Sequence, residues 1–187
     1  MAIEVEIKAR IPNPDELARR LAERGEFLRE YNKVDRYYGR PDEERTRFRL
    51  RRDGQSLICT FKEKAVEALH EENRETEFIV SDGDAFERFA EYLGFQCIVE
   101  KQKIGRSWLI NSVRCELSEV SRLGSFLELE IMLTDDAGES ERDAAKDLLF
   151  ATLRDLGIDE SAVESKPYTR MIHEDISRRN GVPCRPV

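Results

Sequence analysis

The chain has 187 residues, 37% of them charged and 40% hydrophobic, and this length favours a single domain with a modest core. With 31 basic and 39 acidic residues its net charge is −8, which argues against duplex nucleic acid as a partner. No apolar run approaches the roughly 20 residues that span a bilayer, and the acidic N-terminal stretch does not resemble a signal peptide, so we expect a cytoplasmic protein without a membrane partner.

Alternation of apolar and charged residues predicts the strands. It is clearest in the first strand, where the apolar residues Ile3 and Val5 alternate with Glu4, Glu6 and Lys8. A period of two indicates a strand with one buried face. In chain order, the predicted strands cover residues 2–11, 31–38, 45–51, 56–64, 74–80, 95–103, 107–111, 113–120 and 125–133.

Helices and turns are predicted between these strands. Asp53-Gly54 is typical of a hairpin, the polar stretch 63–73 predicts a mobile loop, and the tail from Asn180 is expected to fray. Many short strands and few helices favour an α+β fold with an antiparallel sheet that is closed or strongly curled. The predicted helices cover about 15–25, 82–94, 139–156 and a stretch after Pro167.

Cysteine and histidine offer little for catalysis or metal binding. The four cysteines form no Cys-x-x-Cys pair, and His70 and His173 are the only histidines in the sequence. A zinc site or a Ser-His-Asp group is therefore hard to assemble. Any metal should be a hard cation held by carboxylates.

The charged residues are sorted by sign along the strands. Bases at 45, 47, 49 and 51 share one face of their strand, and Glu128 and Glu130 share one face of another. Ordinary solvated sheet faces would explain any one of these strands, but a soluble surface usually mixes both signs. The set as a whole favours a barrel whose charged face points inward.

Inside such a barrel each charge needs a counterpart. Carboxylates can hold Mg²⁺ or Mn²⁺, and lysine and arginine side chains can hold phosphate oxygens. A polyphosphate chelated to a hard cation would satisfy both sets of charges. The sequence has no Gly-rich P-loop motif, so side chains would have to bind the phosphate.

Glu4-Val5-Glu6-Ile7-Lys8 resembles the Glu-x-Glu-x-Lys signature of the CYTH superfamily, the triphosphate tunnel metalloenzymes. These include class IV adenylyl cyclases and thiamine triphosphatases. The resemblance covers residues 2 to 174, and its Leu-Gly-Phe and Leu-Gly-x-Phe-Leu-Glu-x-Glu stretches look most like the cyclase branch. The supporting segments are 47–51, 60–62, 74–77, 93–95, 100–103, 123–130 and 166–168.

The resemblance implies an eight-stranded antiparallel tunnel with a polar interior and flanking helices, in one domain over 1–174 followed by a tail over 175–187. It implies metal ligands for Mg²⁺ or Mn²⁺ at Glu4, Glu6 and Glu130, with Glu128 as a second acidic candidate. Together with Lys8, the first three form the implied catalytic group. A homodimer is expected from the resemblance alone. The implied phosphate ligands are Lys8, Arg47, Arg49, Lys62, Lys101, Lys103 and Lys166.

The chain departs from the family pattern at three positions. Ser118 stands where relatives commonly carry Asp, and Glu116, two residues earlier on the same face, is a partial substitute. Lys103 stands where Arg is usual, and a lysine registers phosphate less tightly than the bidentate arginine fork. Pro167 stands where Ser is common. These departures affect substrate choice and turnover more than the fold.

The resemblance leaves three functions open. The first is conversion of ATP to cyclic AMP and pyrophosphate by a phosphorus–oxygen lyase like the class IV adenylyl cyclases. The second is hydrolysis of inorganic, thiamine or nucleoside triphosphate. The third is binding of polyphosphate or nucleotides without catalysis, which Ser118 favours.

Overall fold

The computed structural model describes residues 2–41, 43, 46–66 and 71–180, and their side chains except at 2, 62–66, 71–75 and 180. The described residues form eight strands that pair antiparallel and close into a barrel. The strands are β1 (Ala2–Arg10), β2 (Glu26–Gly39), β3 (Thr46–Asp53), β4 (Ser56–Val66), β5 (Glu71–Ile79), β6 (Gln96–Ile110), β7 (Val113–Val120) and β8 (Gly124–Thr134). Their order around the barrel is β1-β5-β4-β3-β2-β6-β7-β8, and β8 pairs with β1. This confirms the predicted α+β barrel.

Helices flank the barrel. Asp82 caps α2 by accepting a hydrogen bond from the Ala85 amide at 2.9 Å, as its position before a helical stretch predicts. In the part of the chain that the structure describes, no helix is both long enough and apolar enough to cross a bilayer. The helices are α1 (Pro14–Arg24), α2 (Gly83–Tyr92), α3 (Glu139–Asp155) and α4 (Tyr168–Asn180), and one 3₁₀ turn covers Glu160–Ala162.

The main hydrophobic core lies between the outer face of the barrel and two helices. Val5 and Ile7 of β1 pack in one cluster with Leu21 of α1 and with Leu149 and Leu153 of α3, and all five are essentially buried. Because neighbouring residues of a strand point to opposite faces, this packing turns the charged residues of β1 toward the barrel interior.

Two sequence-based predictions of the strands are wrong. The predicted break between strands at 103–107 is absent, because β6 pairs through Gly105 with Tyr31 on one side and Ser118 on the other. Gly105 suits this continuous pairing, since a Cβ atom there would lie 2.4 Å from the carbonyl oxygen of Leu117.

The predicted mobile loop over 63–73 is the second error. Strand β4 continues to Val66 and β5 begins at Glu71, and the two pair along this length, while residues 67–70 lie outside the described chain. These polar residues show no alternation, and their strand structure comes from pairing with a partner. At the other end, α4 runs past the expected boundary at 174 to Asn180, and residues 181–187 are outside the described part. The division into a domain over 1–174 and a tail stays a prediction.

Candidate active site inside the barrel

Charged side chains from five strands meet in the barrel interior. Each of these residues, taken as a whole, is at most 8% exposed. Several contact partners on strands that are not their neighbours in the sheet, which is possible only across the interior. These buried charged residues are Glu4, Lys8, Lys33, Asp35, Lys101, Lys103, Glu116 and Glu128.

Glu128 and Glu116 hold two lysines at the centre of this group. The Lys103 ammonium donates to Glu128 and lies 3.4 Å from Glu116, and Lys33 donates to Glu116 at 2.7 Å. Burial would raise the pKa of Glu128, but the ammonium groups of Lys103 and Lys101 outweigh it and hold that pKa well below its usual range. Both carboxylates are therefore ionised and serve as counter-charges for lysines.

Asp35 is a second buried counter-charge. Its Oδ1 accepts from Arg51 Nε at 2.6 Å, and its Oδ2 accepts from Arg51 Nη2 at 2.9 Å and lies 3.0 Å from the Lys101 ammonium. Burial opposes the ionised form, yet Lys101 and Arg51 hold the Asp35 pKa well below its usual range. The pair with Arg51 is bidentate, which fixes the wall of β2 and β3 beside Lys101.

Tyr168, the first residue of α4, lies against the lysines. Its ring centre is 4.8 Å from the Lys8 ammonium, 4.6 Å from that of Lys101 and 5.8 Å from that of Lys103. Contacts of this kind favour cations over the ring face. The ring thus gathers three ammonium groups, which form the basic pole of the interior: Lys8, Lys101 and Lys103.

Next to it, the carboxylates of Glu4, Glu6 and Glu130 form an acidic pole. Glu130 of β8 lies opposite Glu6 of β1 in the strand register, and Arg114 Nε is 3.3 Å from its carboxylate. Burial, and then the charges of Glu4 and Glu116, raise the pKa of Glu130 to about 7. A bound cation would offset the electrostatic repulsion between these carboxylates.

The carboxylates of the acidic pole suit a hard divalent cation, although they do not lie close enough together to form a complete ligand set. Among the described residues, no three histidine, cysteine, aspartate or glutamate side chains lie together as a complete metal ligand set. Mg²⁺ commonly uses one or two carboxylates and keeps several waters. Glu4 and Glu130, with Glu6 across from Glu130, match that need. Glu128, the second acidic candidate, binds Lys103 in this structure.

The predicted phosphate ligands do not all lie together. Lys8, Lys101 and Lys103 form the basic pole, and Arg49 contacts Thr60 at 3.1 Å and Glu77 at 3.6 Å on the β3–β5 wall. Arg47 is exposed and pairs with Glu43.

The other two predicted ligands are Lys166 and Lys62. Lys166 is half-exposed and pairs with Glu174 at 2.9 Å, so its ammonium points to α4. The backbone of Lys62 lies in β4 opposite Glu75, and its side chain is outside the described atoms.

Sequence reasoning missed four residues of this site. Lys33 and Asp35 lie on one face of a strand that was predicted, so reading the polar face of β2 would have found them. Arg51 was assigned to the correct face but given no role. Tyr168 lies in the family-like segment 166–168 but was given no role, because its place depends on how α4 packs against the barrel.

Ser118 faces inward beside Glu116, as expected. The residue is 2% exposed, and its hydroxyl has no hydrogen-bond partner among the described residues. Glu116 is already bound by two lysines. The role of Glu116 as a substitute for the Asp that relatives carry at position 118 stays a prediction.

Comparison with known proteins places this barrel in a family. The model of the CYTH domain matches residues 2–168. A "putative adenylate cyclase" from Methanocaldococcus jannaschii is 24% identical over 177 residues, which cover 90% of this chain and 98% of that protein.

Solved structures share the fold. A conserved hypothetical protein from Pyrococcus furiosus superposes with a TM-score of 0.75 at 27% identity, covering 89% of this chain and 98% of that one. A Hippeastrum protein, described as a "putative adenylyl cyclase" with a dominant triphosphatase activity, has a TM-score of 0.62 at 15% identity and covers 98% of this chain and 97% of its own. At that identity the likeness shows the fold alone.

Proposed function

The chain belongs to the CYTH domain family, and from this premise we propose that it is a divalent-cation-dependent enzyme that acts on a triphosphate inside the barrel. The first candidate reaction is that of class IV adenylyl cyclases, from ATP to cyclic AMP and pyrophosphate. The alternative is hydrolysis of a triphosphate.

One observation carries the proposal: a basic pole and an acidic pole lie side by side in one closed barrel. Lys8, Lys101 and Lys103 gather around Tyr168, while Glu130 has a pKa raised by burial and by Glu4. A triphosphate chelated to a divalent cation carries the complementary charges. A protein that needed only solubility would not bury this many charges.

The cation would be held by Glu4, Glu6 and Glu130. When bound, Mg²⁺ or Mn²⁺ supplies Lewis acidity and neutralises charge on the phosphate oxygens. The lysines do the remaining work. Lys8, Lys101 and Lys103 bind the phosphates, orient the chain and neutralise the negative charge that grows on the leaving pyrophosphate. Glu128 and Asp35 keep two of these lysines, Lys103 and Lys101, in position.

In the cyclase reaction the ribose 3′-hydroxyl attacks the α-phosphorus and releases its proton to solvent, and the bond to the bridging oxygen of pyrophosphate breaks. The barrel contributes alignment more than covalent chemistry, because phosphoryl transfer depends mainly on positioning and charge neutralisation. Removing one preorganised charged group of this kind typically lowers the rate by about 10²–10³.

The hydrolytic alternative has its own support. The hydroxyls of Ser107 and Ser118 are buried and have no hydrogen-bond partner among the described residues. Buried polar atoms of this kind commonly bind ordered water. Water held there would supply the nucleophile for hydrolysis of the terminal phosphate.

Product analysis separates the candidates. The purified protein is incubated with ATP and Mg²⁺ or Mn²⁺, and the products are resolved by chromatography. Cyclic AMP with pyrophosphate establishes the cyclase, and ADP with phosphate the hydrolase. Arg154→Ala, which removes an exposed pair with Glu160 on the surface, is the matched control. Tight ATP binding without any product would instead identify a non-catalytic binder.

A further inference from the structure

Tyr168 contacts inward-facing residues of three strands and belongs to a cluster with a fourth. Its ring lies over Lys8 of β1 and over Lys101 and Lys103 of β6, and its edge meets Phe126 of β8 with ring centres 5.1 Å apart. It packs in one buried cluster with Val120 of β7. Because β6, β7, β8 and β1 are neighbours in the barrel, Tyr168 covers the interior on the half of the barrel that these four strands form, which we call the closed end.

The segment that carries Tyr168 is firmly attached. The Glu164 amide donates to the Lys8 carbonyl at 2.7 Å, and Arg10 pairs with the Glu164 carboxylate at 3.1 Å. Met171, one turn further along α4, is 4% exposed and packs in the same cluster. These contacts tie the start of α4 to the end of β1, so Tyr168 is a fixed part of the wall.

The position of the Tyr168 ring limits how a phosphate chain can lie against the basic pole. The basic pole is directly inside the closed end, with the Tyr168 ring between 4.6 and 5.8 Å from its three ammonium groups. An internal phosphate of a polyphosphate chain is bonded to further groups on both sides, and each of these groups needs space. One of those sides is occupied by the ring.

We propose that Tyr168 is a specificity-determining residue that admits only ligands with a free terminal phosphoryl group, which binds Lys8, Lys101 and Lys103 at the closed end. This deepens the proposed function, on which it rests. The ligand class is a nucleoside or inorganic triphosphate that enters with its terminal phosphate leading. Dinucleoside polyphosphates, whose phosphates are all internal, are excluded.

Calorimetry with two ligands tests this. ATP and diadenosine tetraphosphate are each titrated into the full chain with Mg²⁺ present. We expect diadenosine tetraphosphate to bind at least about tenfold more weakly, the loss expected for one or two missing charged hydrogen bonds. Tyr168→Ala should bring the two affinities close together, and Tyr168→Phe, which keeps the ring, should preserve the difference. Arg170→Ala, at an exposed position of the same helix, is the control for a general effect on α4.

The possible binding results separate a failure of this inference from a failure of the proposed function. If the wild-type protein binds both ligands equally, the closed end imposes no selection and this inference is wrong, whatever the variants do. If Tyr168→Ala folds and the difference persists, the selection comes from elsewhere. Should Tyr168→Ala fail to fold, Tyr168→Leu takes its place, with the same expectation of a reduced difference. If the wild type binds neither ligand, the proposed function itself falls.

Discussion

Lys103 of β6 and Glu128 of β8 form a buried ion pair across the barrel, although β7 separates their strands in the sheet. Lys103 is 3% and Glu128 10% exposed in their side chains. This pair joins the basic pole of the interior to a strand that also carries Glu130. It makes Glu128 a counter-charge for lysine in this structure.

Glu128→Gln should destabilise the protein by about 3 kcal/mol at pH 7, because it leaves Lys103 with a single, more distant carboxylate, Glu116. Denaturant unfolding measures this. Added tripolyphosphate should recover much of the loss, since its oxygens replace the missing carboxylate. Equal stabilisation of wild type and variant by tripolyphosphate would show that the anion does not bind at Lys103.

Glu130→Gln should change the pH dependence of stability in metal-free buffer. The folded pKa of Glu130 is raised from 4.5 to about 7, so the folded state holds the proton more tightly than the unfolded chain. The contribution of Glu130 to stability is therefore full below about pH 4.5 and is lost as pH rises through 7. The variant cannot ionise and escapes this loss.

We expect the variant to exceed wild type in free energy of unfolding by up to about 2 kcal/mol at pH 8, and by much less at pH 5. Urea unfolding at both values measures it. Addition of Mn²⁺ at pH 8 should stabilise wild type more than the variant. A difference that does not change with pH would show that Glu130 does not titrate in this range.

Acid should destabilise the barrel through its other carboxylates. The pKa values of Asp35, Glu116 and Glu128 are lowered by neighbouring lysines and by Arg51, against the effect of burial. Their stabilising contribution is present above the ordinary carboxyl pKa and is lost as pH falls below it. Thermal melts between pH 6 and pH 3 should show a steep decline, which Asp35→Asn should make shallower. An unchanged slope in that variant would contradict the role of Asp35.

Lys8→Ala and Lys166→Ala make a matched pair of charge removals. Lys8 is buried at the basic pole, whereas Lys166 is half-exposed and pairs with Glu174. We expect Lys8→Ala to weaken tripolyphosphate binding by about tenfold or more, with little change in fold, and Lys166→Ala to weaken it far less. Calorimetry gives both values. Equal losses would restore Lys166 as a phosphate ligand.

The sequence predicted the face of each strand better than the contacts between strands. Alternation in β1 places Glu4 and Lys8 on the polar side, and the structure buries both inside the barrel. The Lys33–Glu116 pair joins β2 to β7, which are not adjacent in the sheet, so it depends on closure of the barrel and could not be read from either segment. Family motifs supplied Lys101, Lys103 and Glu128, which lie together.

Helix packing determines the positions of Tyr168 and Lys166, which the sequence did not predict. Tyr168 reaches the lysines only because α4 begins at the barrel end, and the same packing leaves Lys166 on the outside with Glu174. Two residues apart in sequence, they have opposite surroundings. No periodicity in a short segment after Pro167 specifies that difference.

A crystal structure with tripolyphosphate and Mn²⁺ tests the central claim most directly, since the anomalous signal of manganese locates the metal independently of the phosphates. We predict phosphate oxygens against Lys8, Lys101 and Lys103, and manganese at Glu4 and Glu130. Phosphates bound on the outer surface of the barrel, with these five side chains unaltered, would contradict it.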